Sequence, residues 1–329
     1  MKKTVHGVNL GGWLVLERWL TPWVFEGTDA EDEYALMHAK DARQRLEKHR
    51  AQYVTAEDWQ WLATQGVSFV RLPIGYWALG GEAPFLSAQK YIDWAMESAA
   101  EHGIEILLDI HAVKGSQNGE MHSGKEGQVN WWQYRQESLE FLERIAQRYG
   151  EHPALWGIEI MNEPKVFGRY WKLLWYYRKA YAVLRRHIQP GVRTVFSDGY
   201  AGPLLTGALL PRKGYPVVMD SHYYLLFGKW LSWMKPLPYD RLRAFIYTTS
   251  IRFCSLWQPV IVGEWSSVLP RPMLDKIPES EHLATLHDTI MRQRRMYRHA
   301  THTAYWNYRA NGPGMYNYKS MVDEKVITP

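Results

Sequence analysis

Residues 155–164 read LWGIEIMNEP. The run is short, β-rich and largely apolar, and it ends on Asn162 and Glu163 before a proline, so it reads as a strand with its functional groups at the C-terminal end. The same pattern recurs along the chain. Strands are expected at Val5–Leu10, Val67–Ile74, Ile104–His111, Leu155–Asn162, Thr194–Asp198, Val217–Tyr223, Val260–Trp265 and Thr303–Tyr308. Helical patterns lie between them, among them Ala88–His102, Trp131–Tyr149, Tyr170–His187, Arg241–Phe253 and Glu279–His299. Strands alternating with helices give parallel βα units, in either an open doubly wound sheet or a closed barrel. The placement of polar residues decides between them. FVRLPIG carries Arg71, LLDIH brings Asp109 and His111, VVMDSHYY brings Asp220, His222 and Tyr224, IVGEW brings Glu264, and AYWNY carries Trp306. A (β/α)8 barrel gathers the C-terminal ends of all its strands on one face, where active sites sit. The expected fold is therefore α/β, a (β/α)8 TIM barrel forming a single domain over residues 1–329, with elaborated βα loops.

The length of 329 residues suits one such barrel with insertions. Apolar residues at 46% and charged residues at 22% exclude disordered and low-complexity classes. No run approaches the roughly 18 uncharged apolar residues of a membrane span. The start, MKKTVHGVNLGG, reaches His6 and a Gly-Asn segment before any long apolar stretch, and does not read as a signal peptide. The single cysteine, Cys254, excludes an internal disulfide and a cysteine-based metal cluster, so the cytoplasm is the expected compartment. A net charge of +5 permits contact with an anionic membrane or a nucleic acid. The basic residues are scattered and match no nucleic-acid-binding signature, so no nucleic-acid partner is expected. The chain also holds 17 Trp and 21 Tyr. Such rings stack on sugar C–H faces, although core packing accounts for more than half of them. No oligomeric state is assigned.

Glu163 and Glu264, on the fourth and seventh strands, would face each other across the barrel mouth. Two carboxylates without a metal cluster suit glycoside hydrolysis, where one protonates the leaving oxygen and the other attacks or activates water. Asn162 is placed to hydrogen-bond a sugar 2-hydroxyl, and Arg71 to hold Glu264 ionised. Tyr224 is placed to donate to Glu264, His111 and His222 to bind hydroxyls or tune Glu163, and Trp306 to floor the subsite. Apolar surroundings and the facing carboxylate are expected to raise the pKa of Glu163. Metal binding by His111, His222 and an acid finds no HExxH-type spacing, and no metal or cofactor is expected.

These motifs resemble glycoside hydrolase family 5, the (β/α)8 retaining β-glycosidases, and within it the exo-β-1,3-glucanase-like branch. The resemblance runs through GVNLGGWLVLERWLTPWVFEG (7–27), VRLPIGYWAL (70–79), GSQNGEMHSG (115–124), GIEIMNEP (157–164), HYYLLF (222–227) and VGEWS (262–266), in family order. It implies an acid/base role for Glu163 and a nucleophile role for Glu264. It also implies that Arg71, His111, Asn162, His222, Tyr224 and Trp306 complete the active-site set, and that Glu17 helps hold a terminal β-glucose. A retaining pair is expected about 5–5.5 Å apart. Three departures stand out. The branch's HGAPG is His111-Ala112-Val113-Lys114-Gly115 here, its NGFD is Asn118-Gly119-Glu120-Met121, and the proline after its LVLE is Arg18. The catalytic set is intact while the sugar-gripping loops have changed.

Two stretches are aromatic, basic and apolar together: FGRYWKLLWYYRKAYAVLRR (167–186) and LLFGKWLSWMK (225–235). Spacing of i, i+3, i+4 makes most of them core-facing. The alternative is a surface that docks on anionic lipid, as a glycosidase acting on a glycolipid or lipid-linked glycan requires. A transglycosylase would use the same covalent intermediate, and a noncatalytic sugar binder would have lost a carboxylate.

Overall fold

The computed structural model describes residues 3–225, 236–312 and 314–328. Eight parallel strands close into a barrel in sequence order, with the last pairing back to the first, as expected. They are β1 (Val5–Asn9), β2 (Phe69–Gly75), β3 (Glu105–Ala112), β4 (Leu155–Glu159), β5 (Arg193–Ser197), β6 (Val217–Tyr223), β7 (Val260–Trp265) and β8 (His302–Tyr305). Two strands stop three residues short of expectation, β4 at Glu159 rather than Asn162 and β8 at Tyr305 rather than Tyr308, while β1 and β5 each stop one residue short. Past β4 the chain holds its neighbours by single bonds, Ile160 N to Val195 O and Asn162 N to Ile110 O. It then bends over the barrel mouth at Glu163, whose φ is 43°. Residues with a Cβ rarely adopt that conformation, which costs about 1–3 kcal/mol and tends to mark functional sites.

Around the barrel lie α1 (Glu33–Leu36), α2 (Ala42–Tyr53), α3 (Ala56–Thr64), α4 (Gln89–Glu101), α5 (Arg135–Tyr149), α6 (Tyr170–Leu184), α7 (Pro236–Cys254), α8 (Arg271–Leu274), α9 (His282–Met296) and α10 (Tyr318–Asp323). The connection from β5 to β6 has a 3-10 turn at Gly202–Leu205 but no α-helix. Residues 199–216 carry Gly199, Gly202, Gly207 and Gly214 with Pro203, Pro211 and Pro216, which break helical propagation. On α6, Leu173, Tyr176, Tyr177, Ala180, Tyr181 and Leu184 are buried, so the core-facing reading holds for that stripe. Of the stretch 225–235, all but Leu225 lies outside the described residues.

The barrel interior is layered. Phe69, Leu107, Trp156, Val195, Val218 and Ile261 fill its N-terminal end with apolar side chains. Two residues further along their strands stand Arg71, Asp109 and Asp220, all fully buried. The backbone is fitted closely to this ionic layer. A Cβ on Gly263 would lie 1.9 Å from Asp220 Oδ2, and the Gly263 amide donates to Asp220 Oδ1 at 2.6 Å.

Candidate active site

Arg71 organises the floor of the site. Its Nε donates to Glu159 Oε2 at 2.9 Å, and its Nη1 donates to Glu264 Oε1 at 2.9 Å and Asn9 Oδ1 at 3.1 Å. Its Nη2 donates to Asn162 Oδ1 at 2.8 Å and lies 3.0 Å from Asp109 Oδ2, while Asp220 Oδ2 is 3.6 Å from Nε. One guanidinium thus faces four buried carboxylates, and the excess negative charge pulls protons onto their neighbours. Burial pushes Glu159 well above the usual carboxylate range. Burial disfavours a charged His222, but Glu264 and Asp220 outweigh it and raise the imidazole well above its ordinary value. Asp109, 2.6 Å from His111 Nδ1, likewise overcomes burial and raises His111.

The two expected carboxylates meet at His222. Its Nδ1 lies 2.6 Å from Glu163 Oε1 and 3.6 Å from Glu264 Oε2. One oxygen of each carboxylate and a nitrogen of His222 all lie within 4.8 Å of one another. That spacing fits a retaining pair rather than the roughly 6.5–9.5 Å of an inverting one. Tyr224 donates to Glu264 Oε2 at 2.6 Å, as expected. Glu264 is raised, because burial outweighs His222 and Arg71. Glu163 departs from expectation. Burial pushes it upward, but hydrogen bonds from His222 and the Tyr200 hydroxyl, with the charge on His222, hold it below the usual carboxylate range. The surroundings of Glu163 thus lower its pKa rather than raise it, while that of His222, one hydrogen bond away, is raised. His222 is also shared by two clusters spaced like a cation site, Glu163–His222–Glu264 and Glu159–Asp220–His222. A metal at either cluster would need a neutral His222.

All nine residues expected from the sequence converge here. Glu17, His111, Asn162, Glu163, Tyr224, Glu264 and Trp306 line one cavity of about 140 Å³. Arg71 lies against Asn162 and Glu264, and His222 between the two carboxylates. The buried Asn162 Nδ2 has no hydrogen-bond partner among the described residues, which leaves a donor for a ligand hydroxyl. The Trp306 ring stacks on His111, with centroids 5.6 Å apart and planes 10° apart. Glu17 accepts from Trp19 Nε1 at 2.8 Å, and burial raises its pKa to about 7.

Sequence reasoning missed several neighbours. Trp19 and Tyr316, with ring centroids 4.8 Å apart, wall the cavity beside Glu17. His122 Nε2 accepts from Asn118 Nδ2 at 2.8 Å and sits 3.5 Å from Glu163 Oε2, its pKa lowered by burial to about 4. Tyr200, with φ 62°, follows β5, the strand for which no site residue was singled out. Convergence of all eight strand ends was the signal available for it. His122, Glu163 and Tyr200 also border a second cavity of about 760 Å³, lined by Pro164, Val166 and Phe167 among others.

Residues 38–312 match the family described as cellulase, glycosyl hydrolase family 5. A probable glucan 1,3-beta-glucosidase A of Emericella nidulans is 36% identical over 284 residues, covering 82% of this chain and 68% of the relative. The protein so named in Aspergillus fumigatus is 34% identical over 278 residues, covering 80% of this chain and 65% of the relative, so the match spans about two thirds of these proteins. Among solved structures, rutinosidase from Aspergillus niger superposes with a TM-score of 0.81 at 20% identity, covering 99% of this chain and 98% of that one. Endo-glycoceramidase II from Rhodococcus sp. gives 0.58 at 16% identity, covering 96% of this chain and 75% of that one. At those identities the two structures speak to the fold alone.

Proposed function

The chain belongs to glycosyl hydrolase family 5, and on that footing we propose that it is a retaining β-glycosidase acting on β-linked glucose. The observation that carries this reading is the pairing of Glu163 and Glu264 around His222, within 4.8 Å, with both carboxylates lining one cavity. Glu264 attacks the anomeric carbon, and the bond to the leaving oxygen breaks as Glu163 protonates it. Glu163 first takes that proton from His222 Nδ1 across their 2.6 Å contact. In the second step Glu163 accepts a proton from water, whose oxygen displaces Glu264 and restores the β-configuration. Arg71 and Tyr224 hold the Glu264 oxygens in place. Asn162 Nδ2 meets the sugar 2-hydroxyl, and Glu17 and Trp19 grip the far side of the ring. Trp19 and Tyr316, packed on each other beside Glu17, favour attack at a chain end, and the relatives' names favour a β-1,3-linked glucan. Delivery of the glycosyl group to another hydroxyl uses the same intermediate. The single cysteine, buried Cys254, supports a reducing compartment.

A second reading concerns the leaving group. The larger cavity beyond Glu163 pairs an apolar wall of Pro164, Val166, Phe167 and Tyr200 with the polar Asn118, Glu120, His122 and Lys165, and the apolar wall is the feature that suits a lipid-linked aglycone.

Hydrolysis of an aryl β-glucoside by wild type and Glu264→Gln side by side tests the assignment. Wild type is expected to turn over and release the β-anomer first, as read by proton NMR. Glu264→Gln is expected to lose about 1,000-fold or more in kcat while folding normally. Glu163→Ala should lose less on leaving groups that need little protonation. Substantial turnover by Glu264→Gln would falsify the nucleophile assignment.

A further inference from the structure

Charge is unevenly distributed along this chain. Residues 165–263 hold fifteen Lys and Arg against three Asp and no Glu, while the rest of the chain holds twenty-four against thirty-one. Two of those aspartates, Asp198 and Asp220, are buried, so they offset little of the charge at the surface. Exposed apolar surface is concentrated in the same sector. Of the sixteen large apolar side chains exposed among the described residues, twelve fall within it. Phe167, Trp171, Phe245, Leu256 and Trp257 are each at least 67% exposed.

These features share one side of the barrel. From α6, Trp171 and Trp175 face outward beside Lys172, Arg178 and Lys179. From α7, Leu242, Phe245, Ile246 and Phe253 do so at helical spacing, beside the exposed Arg241 and Arg252. The helix-free connection from β5 to β6 lies between them and exposes Leu204, Leu210, Arg212 and Lys213. It touches both helices: the Tyr170 hydroxyl donates to Leu204 O at 3.3 Å, and Thr206 Oγ1 lies 3.3 Å from Cys254 Sγ.

We propose that this face seats on an anionic lipid bilayer. Clustered exposed apolar side chains mark an interaction surface, whereas scattered ones need no explanation. Aromatic rings interleaved with Lys and Arg match the boundary between acyl chains and anionic headgroups, the rings and aliphatic stems entering the apolar side. A second copy of the same face would set cations against cations without facing acids. Nucleic acid would leave the aliphatic side chains of Leu242, Ile246 and Leu256 uncovered. Among the described residues no helix is long and apolar enough to cross a membrane, so the contact is peripheral. Phe167 and Tyr200, at the border of the larger cavity, are both exposed in this sector, which brings that opening to the bilayer. The inference deepens the lipid-linked reading above and rests on it for its purpose, while binding itself is measured without turnover.

Co-sedimentation of the whole protein with phosphatidylcholine vesicles, pure or containing about one-third phosphatidylglycerol, tests it. At low salt, wild type is expected to bind the anionic vesicles at least about 10-fold more tightly, with the difference shrinking at about 0.5 M salt. The combined variant Trp171→Ser, Phe245→Ser, Trp257→Ser is expected to lose about 10-fold or more in binding while keeping its thermal midpoint. Leu283→Ser, an exposed position on α9 outside the sector, should bind as wild type does. Folded wild type that ignores anionic vesicles overturns the proposal, as does undiminished binding by the triple variant. A wild-type dimer that the triple variant converts to monomer, with no vesicle binding, gives the face to a second copy and overturns it too. Vesicle binding without hydrolysis of any β-glucoside would instead count against the glycosidase reading alone.

Discussion

Glu17 sits in conflict between stability and binding. In the folded chain burial holds its proton to about pH 7, against 4.5 for the ordinary group. Between those values only the folded state binds the proton, so stability from this group falls as pH rises through the window, by at most about 3 kcal/mol. Glu17→Gln is therefore expected to melt above wild type at pH 8 and close to it at pH 4, while KM for a β-glucoside rises. A melting difference independent of pH would refute the burial argument. Individual residues of the site were legible because the chemistry lies in side-chain type at strand ends, and Glu163, Glu264 and Arg71 need little else to be found. Protonation was not legible. The low pKa of Glu163 depends on His222 and Tyr200 reaching one oxygen, a three-dimensional coincidence that strand patterns do not encode. Trp19 and Tyr316 escaped for a related reason, since periodicity says nothing about the course of the loops that carry them.

The strands β6 and β7 fall at the residues expected, and the others end within a few positions. Where β4 and β8 stop early, the lost residues are those that bend over the mouth. Apolar runs continue there because the chain stays buried after the ladder ends. Helix α6 was readable from its buried stripe. The absence of a helix after β5 was available in the glycines and prolines of 199–216 and becomes informative only once the six other strand-to-strand connections are seen to carry one. The fit of β7 against β6 gives a local test. Gly263→Ala would drive a methyl group into the Asp220 carboxylate that its own amide binds. The expected cost is about 3 kcal/mol in urea unfolding. Because Glu264 is the next residue, kcat should fall as well. An Ala variant as stable as wild type would mean that β6 can shift without disturbing Arg71.

Across the whole molecule, the barrel and its active face were legible because eight repeats of one pattern leave few arrangements open. The basic sector was not fully legible. The stretch 167–186 hinted at it, but α7 became part of it only when its outward stripe was seen beside the uncovered β5–β6 connection. That lopsided distribution makes the protein a permanent electric dipole with its positive pole on the sector of residues 165–263. Near a negatively charged surface the molecule would rotate before it touches, so adsorption would be oriented even where no apolar side chain is buried. A sulfonate cation exchanger should accordingly retain it at pH values somewhat above its isoelectric point near 9.0, where a protein of evenly mixed charge would flow through.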